Sequence, residues 1–187
     1  FGILGMLISL NGIFMLSAIP FSIYFNEDFY PLLNASLISV GLGASTWYFM
    51  RFKNKKELSK KEGYLVVALG WVTMSLFGML PFLFSGSIES IGDAFFETMS
   101  GYTTTGASIL TDIEAVPKGI LFWRSLTQWI GGMGIIVLTI ALLPMLGVGG
   151  MQLFIAEAPG ISPDKLKPRI ADTAKRLWLI YAGLTGL

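Results

Sequence analysis

Long apolar blocks separated by charged residues set the pattern of this chain. They run over residues 1–25, 31–50, 64–84 and 119–146, and a fifth begins near residue 177. Each complete block approaches the roughly 20 residues that a helix needs to cross a bilayer. The first block has neither a basic leader nor a small-residue cleavage pattern, so it is better explained as a transmembrane helix than as a signal peptide. The pattern predicts an all-α integral membrane protein.

A shorter apolar segment, 91–100, lies between the third and fourth blocks. Its apolar residues recur at helical spacing, but the segment is too short to span a membrane. It fits a re-entrant helix that enters the membrane and stops at Gly101, a residue suited to a helix C-terminus. It also fits a surface helix followed by a solvated turn. Composition leaves both interpretations open.

Lysine and arginine collect in alternate links between the blocks. The 51–63 link is strongly basic, whereas the link between the first and second blocks carries only acidic charges. The positive-inside rule therefore predicts that 51–63 is cytoplasmic. Successive crossings then place the N-terminus and 151–176 in the cytoplasm and 85–118 outside, and the basic residues agree with that placement.

Composition narrows the function further. Of 187 residues, 53% are hydrophobic and 13% are charged, against about a quarter charged in soluble domains. The chain has no Cys and no His, which excludes thiol nucleophiles, Ser-His-Asp triads and histidine-ligated metals. The net charge of +1 is divided among the loops and forms no basic face for nucleic acid. An enzyme is disfavoured. Because the chain starts at Phe1 and stops within an apolar run, we expect it to be part of a longer protein.

The short segment is followed by the sequence TTTGAS, residues 103–108. A dehydrated potassium ion needs a cage of oxygens, and backbone carbonyls can supply it. Such irregular backbone is tolerated at membrane depth where it lines a watery path. Gly106 gives the backbone freedom to turn carbonyls inward, and the negative C-terminal end of the preceding helix favours a cation. A short helix, a glycine, a threonine-rich strand and a spanning helix together form a coherent membrane-pore-membrane unit, in which backbone carbonyls near Gly106 would face an ion path.

Three charged residues are candidates for supporting roles. Arg124 lies within the fourth block, where it is expected to snorkel or to pair with Asp93, Glu97 or Asp112. Glu97 lies in the short helix and has two open interpretations: it enriches cations near a pore mouth, or it braces the filter through a hydrogen bond. Asp93 shares that helix and is a further candidate at the mouth.

The motifs SGYTTTGAS, FWRSLTQWIGGMGIIVL and LFIAEAPG occur in this order over residues 91–160. Together they resemble the first pore repeat of the Trk/Ktr/HKT potassium transporter family, and most closely its TrkH branch. The resemblance implies four non-identical membrane-pore-membrane repeats around one pore, each contributing one filter strand. This chain carries one such strand. The helix pair before residue 64 resembles the additional N-terminal pair of the TrkH branch.

The resemblance assigns the following organisation to the sequence: an N-terminal helix pair (1–50), a cytoplasmic basic loop (51–63), a membrane-pore-membrane repeat (64–150), a cytoplasmic segment (151–176) and the start of the next transmembrane helix (177–187). The implied filter residues are Thr103 at the inner end, Thr104, Thr105, Gly106 and Ala107.

The resemblance further implies potassium uptake across the bacterial inner membrane, with K+ as the transported ion and no organic cofactor in this chain. It implies a homodimer of full-length chains and a cytosolic nucleotide-binding ring subunit of the TrkA type, regulated by NAD or ATP-type ligands. Two alternatives stay open: a sodium-selective or nonselective transporter of the same family, and a noncatalytic membrane scaffold in which TTTGAS is a surface turn.

Overall fold

A computed structural model describes residues 2–51, 60–146 and 166–185 of the chain. Outside its helices, the described part consists of turns and irregular segments. The helices are α1 (Gly2–Leu16), α2 (Ile19–Tyr24), α3 (Tyr30–Arg51), α4 (Lys60–Gly78), α5 (Leu80–Phe84), α6 (Ile91–Tyr102), α7 (Lys118–Leu146) and α8 (Leu166–Thr185). The chain divides into two compact units, 1–130 and 131–187.

The first and third apolar blocks each form two helices in succession. Pro20 and Pro81 stand in the first turns of α2 and α5, where proline is tolerated, and proline cannot continue the preceding helix. Among the described residues, two helical stretches are long and apolar enough to cross a membrane, Gly2–Tyr24 and Leu65–Phe84. Helices α3 and α7 have 22 and 29 residues, which is sufficient length. That they cross a membrane stays a prediction.

Helices α1 and α3 approach each other closely at small residues. A Cβ atom at Gly12 would lie 2.9 Å from the Ser36 carbonyl oxygen, and one at Gly43 would lie 2.5 Å from the Ser9 nitrogen. The Ser36 hydroxyl donates a hydrogen bond of 2.8 Å to the Gly12 carbonyl across the same contact. Small residues of this kind are typical of helix contacts in membranes, where close backbone approach supplies the packing.

Large side chains from several helices meet in one buried core around α6. Met15 of α1, Phe82 of α5, Tyr102 of α6 and Trp123 of α7 are all at most 1% exposed. The Trp123 indole N–H donates to the Gly78 carbonyl at 2.9 Å, which satisfies its polar atom within the core. One side of the short helix α6 therefore packs against α1, α4, α5 and α7.

The N-terminus of α7 is capped by the turn between α2 and α3. The Glu27 carboxylate accepts hydrogen bonds from the Lys118 nitrogen at 2.9 Å and from the Gly119 nitrogen at 3.1 Å. A carboxylate is favourable here because the first N–H groups of a helix lack partners and carry partial positive charge. A Cβ at Gly119 would overlap Ser22, so the close approach requires glycine.

Two helix boundaries differ from the prediction. Helix α6 continues to Tyr102 instead of ending at Ser100. Helix α8 begins at Leu166 instead of near Leu177, because charged residues mark the end of an apolar span but do not stop a helix, and Lys and Arg are good helix formers. The LFIAEAPG motif lies outside the described residues, as does most of the predicted loop 51–63.

The second unit contains the end of α7 and α8. A Cβ at Gly132 would lie 2.6 Å from the Tyr181 hydroxyl oxygen, so the ring packs directly on the backbone of α7. The Trp178 indole N–H contacts the Met133 sulfur. Close packing against another helix thus explains one glycine of the WIGGMG sequence.

Candidate ion-binding site

Helix α6 begins at a side-chain cap and is short. The Ser90 hydroxyl accepts a hydrogen bond of 3.4 Å from the Asp93 nitrogen, and Ser90 has the extended backbone typical of a cap. Asp93 is exposed in the first turn, where its negative charge suits the helix N-terminus. The helix has 12 residues. At 1.5 Å per residue it extends about 18 Å, well short of the roughly 30 Å of a bilayer core.

The C-terminus of α6 closes with a pair of backbone hydrogen bonds. The Thr104 nitrogen donates to the Gly101 carbonyl at 3.0 Å, and the Thr105 nitrogen donates to the Ser100 carbonyl at 3.0 Å. This is the Schellman arrangement, in which the residue after the cap takes a left-handed conformation. That residue is Thr104, with φ of 56°. The chain therefore turns away from the helix axis at Thr104.

Gly101, which the sequence suggested as the terminating residue, has a different role. It lies in the last turn of α6, where a Cβ atom would overlap the Thr127 hydroxyl and come within 3.2 Å of the Thr127 Cβ. Thr127 is buried on α7. Glycine at this position thus permits close approach of α6 and α7 directly before the TTTGAS sequence.

The segment 103–106 combines exposed side chains with an unusual backbone. Thr104 and Gly106 both have positive φ, of 56° and 77°. A β-branched residue in this region is a conformational outlier, whereas glycine adopts it freely. Positive φ at alternate residues breaks the pleat of an ordinary strand, in which successive carbonyls point to opposite sides. A backbone of this kind is compatible with several carbonyls facing one side.

Two threonine hydroxyls are connected in this segment. The Thr103 hydroxyl donates to the Met99 carbonyl at 2.8 Å and lies 2.8 Å from the Thr105 hydroxyl. Because a hydroxyl has one hydrogen, Thr105 is the donor in the second bond. The lone pairs of the Thr105 oxygen are not used in this bond, and Thr105 is exposed. These two side chains tie the turn back to the last turn of α6.

The Glu97 carboxylate connects three parts of the site. It accepts a hydrogen bond of 2.6 Å from Arg124 Nε on α7, bonds of 3.0 and 3.1 Å from the Ser108 hydroxyl, and one of 2.9 Å from the Ile109 nitrogen. The Glu97 side chain is 1% exposed and that of Arg124 is 17% exposed. Arg124 therefore compensates a buried charge, and Glu97 holds the backbone that follows the TTTGAS glycine. This geometry favours bracing over cation enrichment at a mouth.

A second brace lies one helical turn later on α6. The Ser100 hydroxyl donates a hydrogen bond of 2.6 Å to the Ala107 carbonyl. Ser100 and Glu97 project from the same helix and contact residues 107–109, so α6 positions the segment that follows it from two successive turns. The path of the backbone after Gly106 is thus fixed by side chains.

The structure brings most of the predicted site residues together. Thr103, Thr104, Thr105, Gly106 and Ala107 form one exposed segment directly after α6. Glu97 and Arg124 form an ion pair beneath it. Asp93 lies apart, near the start of α6, and lines an open cleft with Ser87, Glu89 and Asp112. It makes no contact with Arg124 that would support the alternative pairing.

Sequence analysis missed two groups of contacts. Ser100 and Ser108 were not singled out, and no pattern in a Ser- and Thr-rich stretch distinguishes a bracing hydroxyl from a solvated one. Asn11 was also missed, although a carboxamide within an apolar block of membrane length is a usable signal.

The oxygens of residues 103–107 belong to uncharged groups. No group of three or more His, Cys, Asp or Glu side chains that could hold a metal occurs in the ranges that the structure describes. Residues 103–107 are exposed, and their polar groups are those of the backbone and of the threonine hydroxyls. Neutral oxygens of this type can replace part of a hydration shell without binding the ion permanently.

Comparison with known proteins places this geometry in a family context. The model of the TrkH family, described as a cation transport protein, matches residues 32–187. Trk system potassium uptake protein TrkH of Escherichia coli strain K12 is 53% identical over 150 residues, which are 79% of this chain and 31% of that protein. The protein of the same name from Salmonella typhimurium is 46% identical over 186 residues, 98% of this chain and 38% of that protein.

A solved structure extends the likeness to the fold. The crystal structure of the potassium transporter TrkH from Vibrio parahaemolyticus matches with a TM-score of 0.78 and 38% sequence identity. The match covers 98% of this chain and 36% of that one. The chain therefore spans about a third of the length of the relatives that it matches.

Proposed function

Because the chain belongs to the TrkH family of cation transport proteins, we propose that it supplies the N-terminal helix pair and the first filter segment of a potassium uptake protein. The family resemblance drawn from the three sequence motifs is thereby confirmed. The observation that carries the proposal is the segment 103–107, which leaves α6 through a left-handed residue and is braced by Glu97 and Ser100.

In this proposal, the carbonyls of Thr104, Thr105 and Gly106 replace water around a potassium ion. The C-terminal end of α6 adds a partial negative charge close to them. Potassium has a larger radius than sodium and is less costly to dehydrate, so preference between them depends on the number and field of the oxygens. No covalent step is required, and K+ is the cargo, not a resident cofactor.

One segment supplies oxygens from one side only. Residues 103–108 are exposed in this chain, and a Cβ added at Gly106 would meet nothing within 4 Å. We propose that three further repeats of the complete transporter cover this face and complete the ion site. The relatives are long enough to contain them, since this chain covers 31% and 38% of two of them.

The buried ion pair has a defined task in this scheme. A filter strand has no regular hydrogen-bond ladder, so thermal motion and the mutual repulsion of bound ions would displace its oxygens. Glu97 ties residues 108 and 109 to α6 and, through Arg124, to α7. We propose that Glu97 and Arg124 keep the filter oxygens at fixed spacing, whereas Asp93 lies at the outer cleft and acts on cations only through its charge.

Membrane placement is proposed from the distribution of charges. The protein would lie in the bacterial inner membrane, with the N-terminus, 51–63 and 151–176 in the cytoplasm. A homodimer and a cytosolic nucleotide-binding ring subunit are the proposed assembly. A cysteine at Ser87 should react with an impermeant thiol reagent from outside and a cysteine at Ser59 should not. The reverse result would contradict the orientation.

Ion flux tests the proposed function directly. The complete transporter, reconstituted in vesicles, should carry potassium down an imposed gradient faster than empty vesicles do, and faster than it carries sodium. Equal rates for both ions would favour a nonselective transporter of the same family. Absence of flux of either ion would favour the scaffold alternative, in which 103–108 is a surface turn.

A further inference from the structure

A buried polar chain connects α1 to the last residue of α6. The Tyr102 hydroxyl donates a hydrogen bond of 2.6 Å to Asn11 Oδ1, and Asn11 Nδ2 donates one of 3.2 Å to the Met74 carbonyl. Asn11 and Tyr102 are both 0% exposed. Each polar atom of the Asn11 side chain thus has a partner, and the amide joins helices α1, α4 and α6 at one point.

The position of Tyr102 makes this chain relevant to the filter segment. Tyr102 is the last residue of α6 and immediately precedes Thr103, whose hydroxyl donates a hydrogen bond to the Met99 carbonyl in the last turn of the helix. The carbonyls of Ser100 and Gly101, the two residues directly before Tyr102, accept the two backbone hydrogen bonds that close the helix. A shift of Tyr102 therefore changes the direction in which Thr104 and Thr105 leave α6.

The space around the Tyr102 ring leaves little freedom. A Cβ at Gly78 of α4 would lie 2.9 Å from the ring and 3.0 Å from its hydroxyl oxygen. Gly101, the residue before Tyr102, lets α7 approach so closely that a Cβ would overlap Thr127. Tyr102 is thus packed against the backbone of α4 next to a close contact between α6 and α7, and its hydroxyl is held by the hydrogen bond to Asn11.

We propose that Asn11 is a positioning residue for the filter segment, through which α1 sets the preference of the transporter for potassium over sodium. This rests on the proposed function of 103–107. The helix pair that precedes the membrane-pore-membrane repeat is then part of the selectivity apparatus, although it contributes no oxygen to the ion. Loss of the Asn11 amide leaves the Tyr102 hydroxyl buried without its partner, and the end of α6 moves to satisfy it.

The test compares four variants of the complete transporter with the natural protein: Asn11→Leu, Tyr102→Phe, the double variant, and Ser36→Ala. Ser36 on α3 is the matched control, because its buried hydroxyl donates a hydrogen bond of 2.8 Å to the carbonyl of Gly12, the neighbour of Asn11 on α1, and this bond joins α1 to α3 and not to α6. The potassium-to-sodium flux ratio is measured in vesicles and normalised to inserted protein. Amide hydrogen exchange at Thr104 and Thr105 is measured in parallel.

Both single variants should lower the flux ratio about two- to tenfold, the range by which one neutral hydrogen bond shifts an equilibrium. The double variant should be no worse than either single variant, because both remove the same bond. Exchange at Thr104 and Thr105 should accelerate in all three. Ser36→Ala should leave both measurements unchanged.

Unchanged exchange at Thr104 and Thr105 in both single variants overturns the positioning role, as does an equal effect of Ser36→Ala. Additive effects in the double variant overturn the role of the hydrogen bond itself. If the natural protein carries no potassium but exchange still responds as predicted, positioning by Asn11 stands and the transport assignment fails. If Gly106→Ser changes the flux ratio while the Asn11 and Tyr102 variants do not, the transport assignment stands and this inference fails.

Discussion

The two halves of the segment after α6 are held in different ways. Residues 103–106 are fixed by the backbone bonds that close the helix and by two positive φ angles, at Thr104 and Gly106. Residues 107–110 are fixed by side chains of α6, through Ser100 and the buried carboxylate of Glu97. Local conformation shapes the first half, and side-chain contacts with the preceding helix shape the second.

This difference has a consequence for ion binding. A segment restrained by its own backbone can leave its carbonyls and hydroxyls uncovered, which a cation site requires. The polar groups of the half that follows are bonded to side chains of α6, and these bonds hold the first half in place. Changes to the second half should therefore act mainly on stability, and changes to the first mainly on selectivity.

The largest effect on stability is expected at the buried ion pair. Arg124→Leu leaves the Glu97 carboxylate, whose side chain is 1% exposed, without its charge partner. Breaking such a pair costs about 3–5 kcal/mol. The unfolding temperature of the Arg124→Leu transporter, purified in detergent, should be much lower than that of the natural protein. Arg124→Lys should lower the unfolding temperature less. Adding Glu97→Gln to Arg124→Leu should recover part of the loss, because no buried charge is left. Equal unfolding temperatures for all variants would contradict the bracing role.

The next effect separates the first half from an ordinary turn. Gly106 and Gly86 both have positive φ, 77° and 68°, and a Cβ at either position meets nothing within 4 Å in this chain. Replacing either by Ser should cost about 1–2 kcal/mol of backbone strain. Only Gly106→Ser should also lower the potassium-to-sodium flux ratio, since only there would a side chain crowd the axis shared with other repeats. Thr103→Ser, which keeps the hydroxyl, should be milder. Equal flux ratios for the Gly106 and Gly86 variants would contradict a filter at 106.

A smaller effect tests whether strain is stored in the first half. Thr104 has φ of 56°, almost the same as the 55° of Asn26 in the turn after α2. Asparagine tolerates this region far better than a β-branched residue. Thr104→Asn should therefore raise the free energy of unfolding by about 1 kcal/mol, and Asn26→Thr should lower it by a similar amount. If Thr104→Asn destabilises the protein as much as Asn26→Thr does, the strain assigned to Thr104 is absent.

The smallest effect is expected for the hydroxyl brace. Ser100→Ala removes the bond to the Ala107 carbonyl and should cost about 0.5–1.5 kcal/mol of unfolding free energy. Ser125→Ala removes a comparable bond from an exposed hydroxyl to the Leu121 carbonyl and should change the unfolding temperature little. Indistinguishable unfolding temperatures for the two variants would show that Ser100 does not hold residue 107.

Much of the fold follows from the sequence, because apolar length and helical spacing are local signals. The blocks at 31–50 and 119–146 became α3 and α7 with ends within a residue of the prediction. The C-terminal end of α6 could not be predicted from these local signals. Glycine is a typical residue at a helix C-terminus, but Gly101 lies within the last turn, where the close contact with Thr127 requires glycine. Thr104 takes the left-handed position instead, although it is β-branched. Tertiary contacts outweighed local preference at both residues.

The candidate site was predictable in part for a similar reason. A glycine among threonines after a short helix is a local pattern, and it predicts 103–107 as the candidate segment. The partner of Arg124 was one of three acids named in advance, and only the fold selects Glu97. The contact between Asn11 and Tyr102 joins residues 91 positions apart, which no periodicity encodes.

The central claim is that the carbonyls of Thr104, Thr105 and Gly106 bind the transported ion. Crystals of the complete transporter grown with rubidium in place of potassium would test it, because rubidium resembles potassium in size and scatters anomalously. We predict an anomalous peak beside these three carbonyl oxygens, on an axis shared with the other repeats. An ordered segment 103–107 that faces bulk solvent with no anomalous peak beside it would contradict the account.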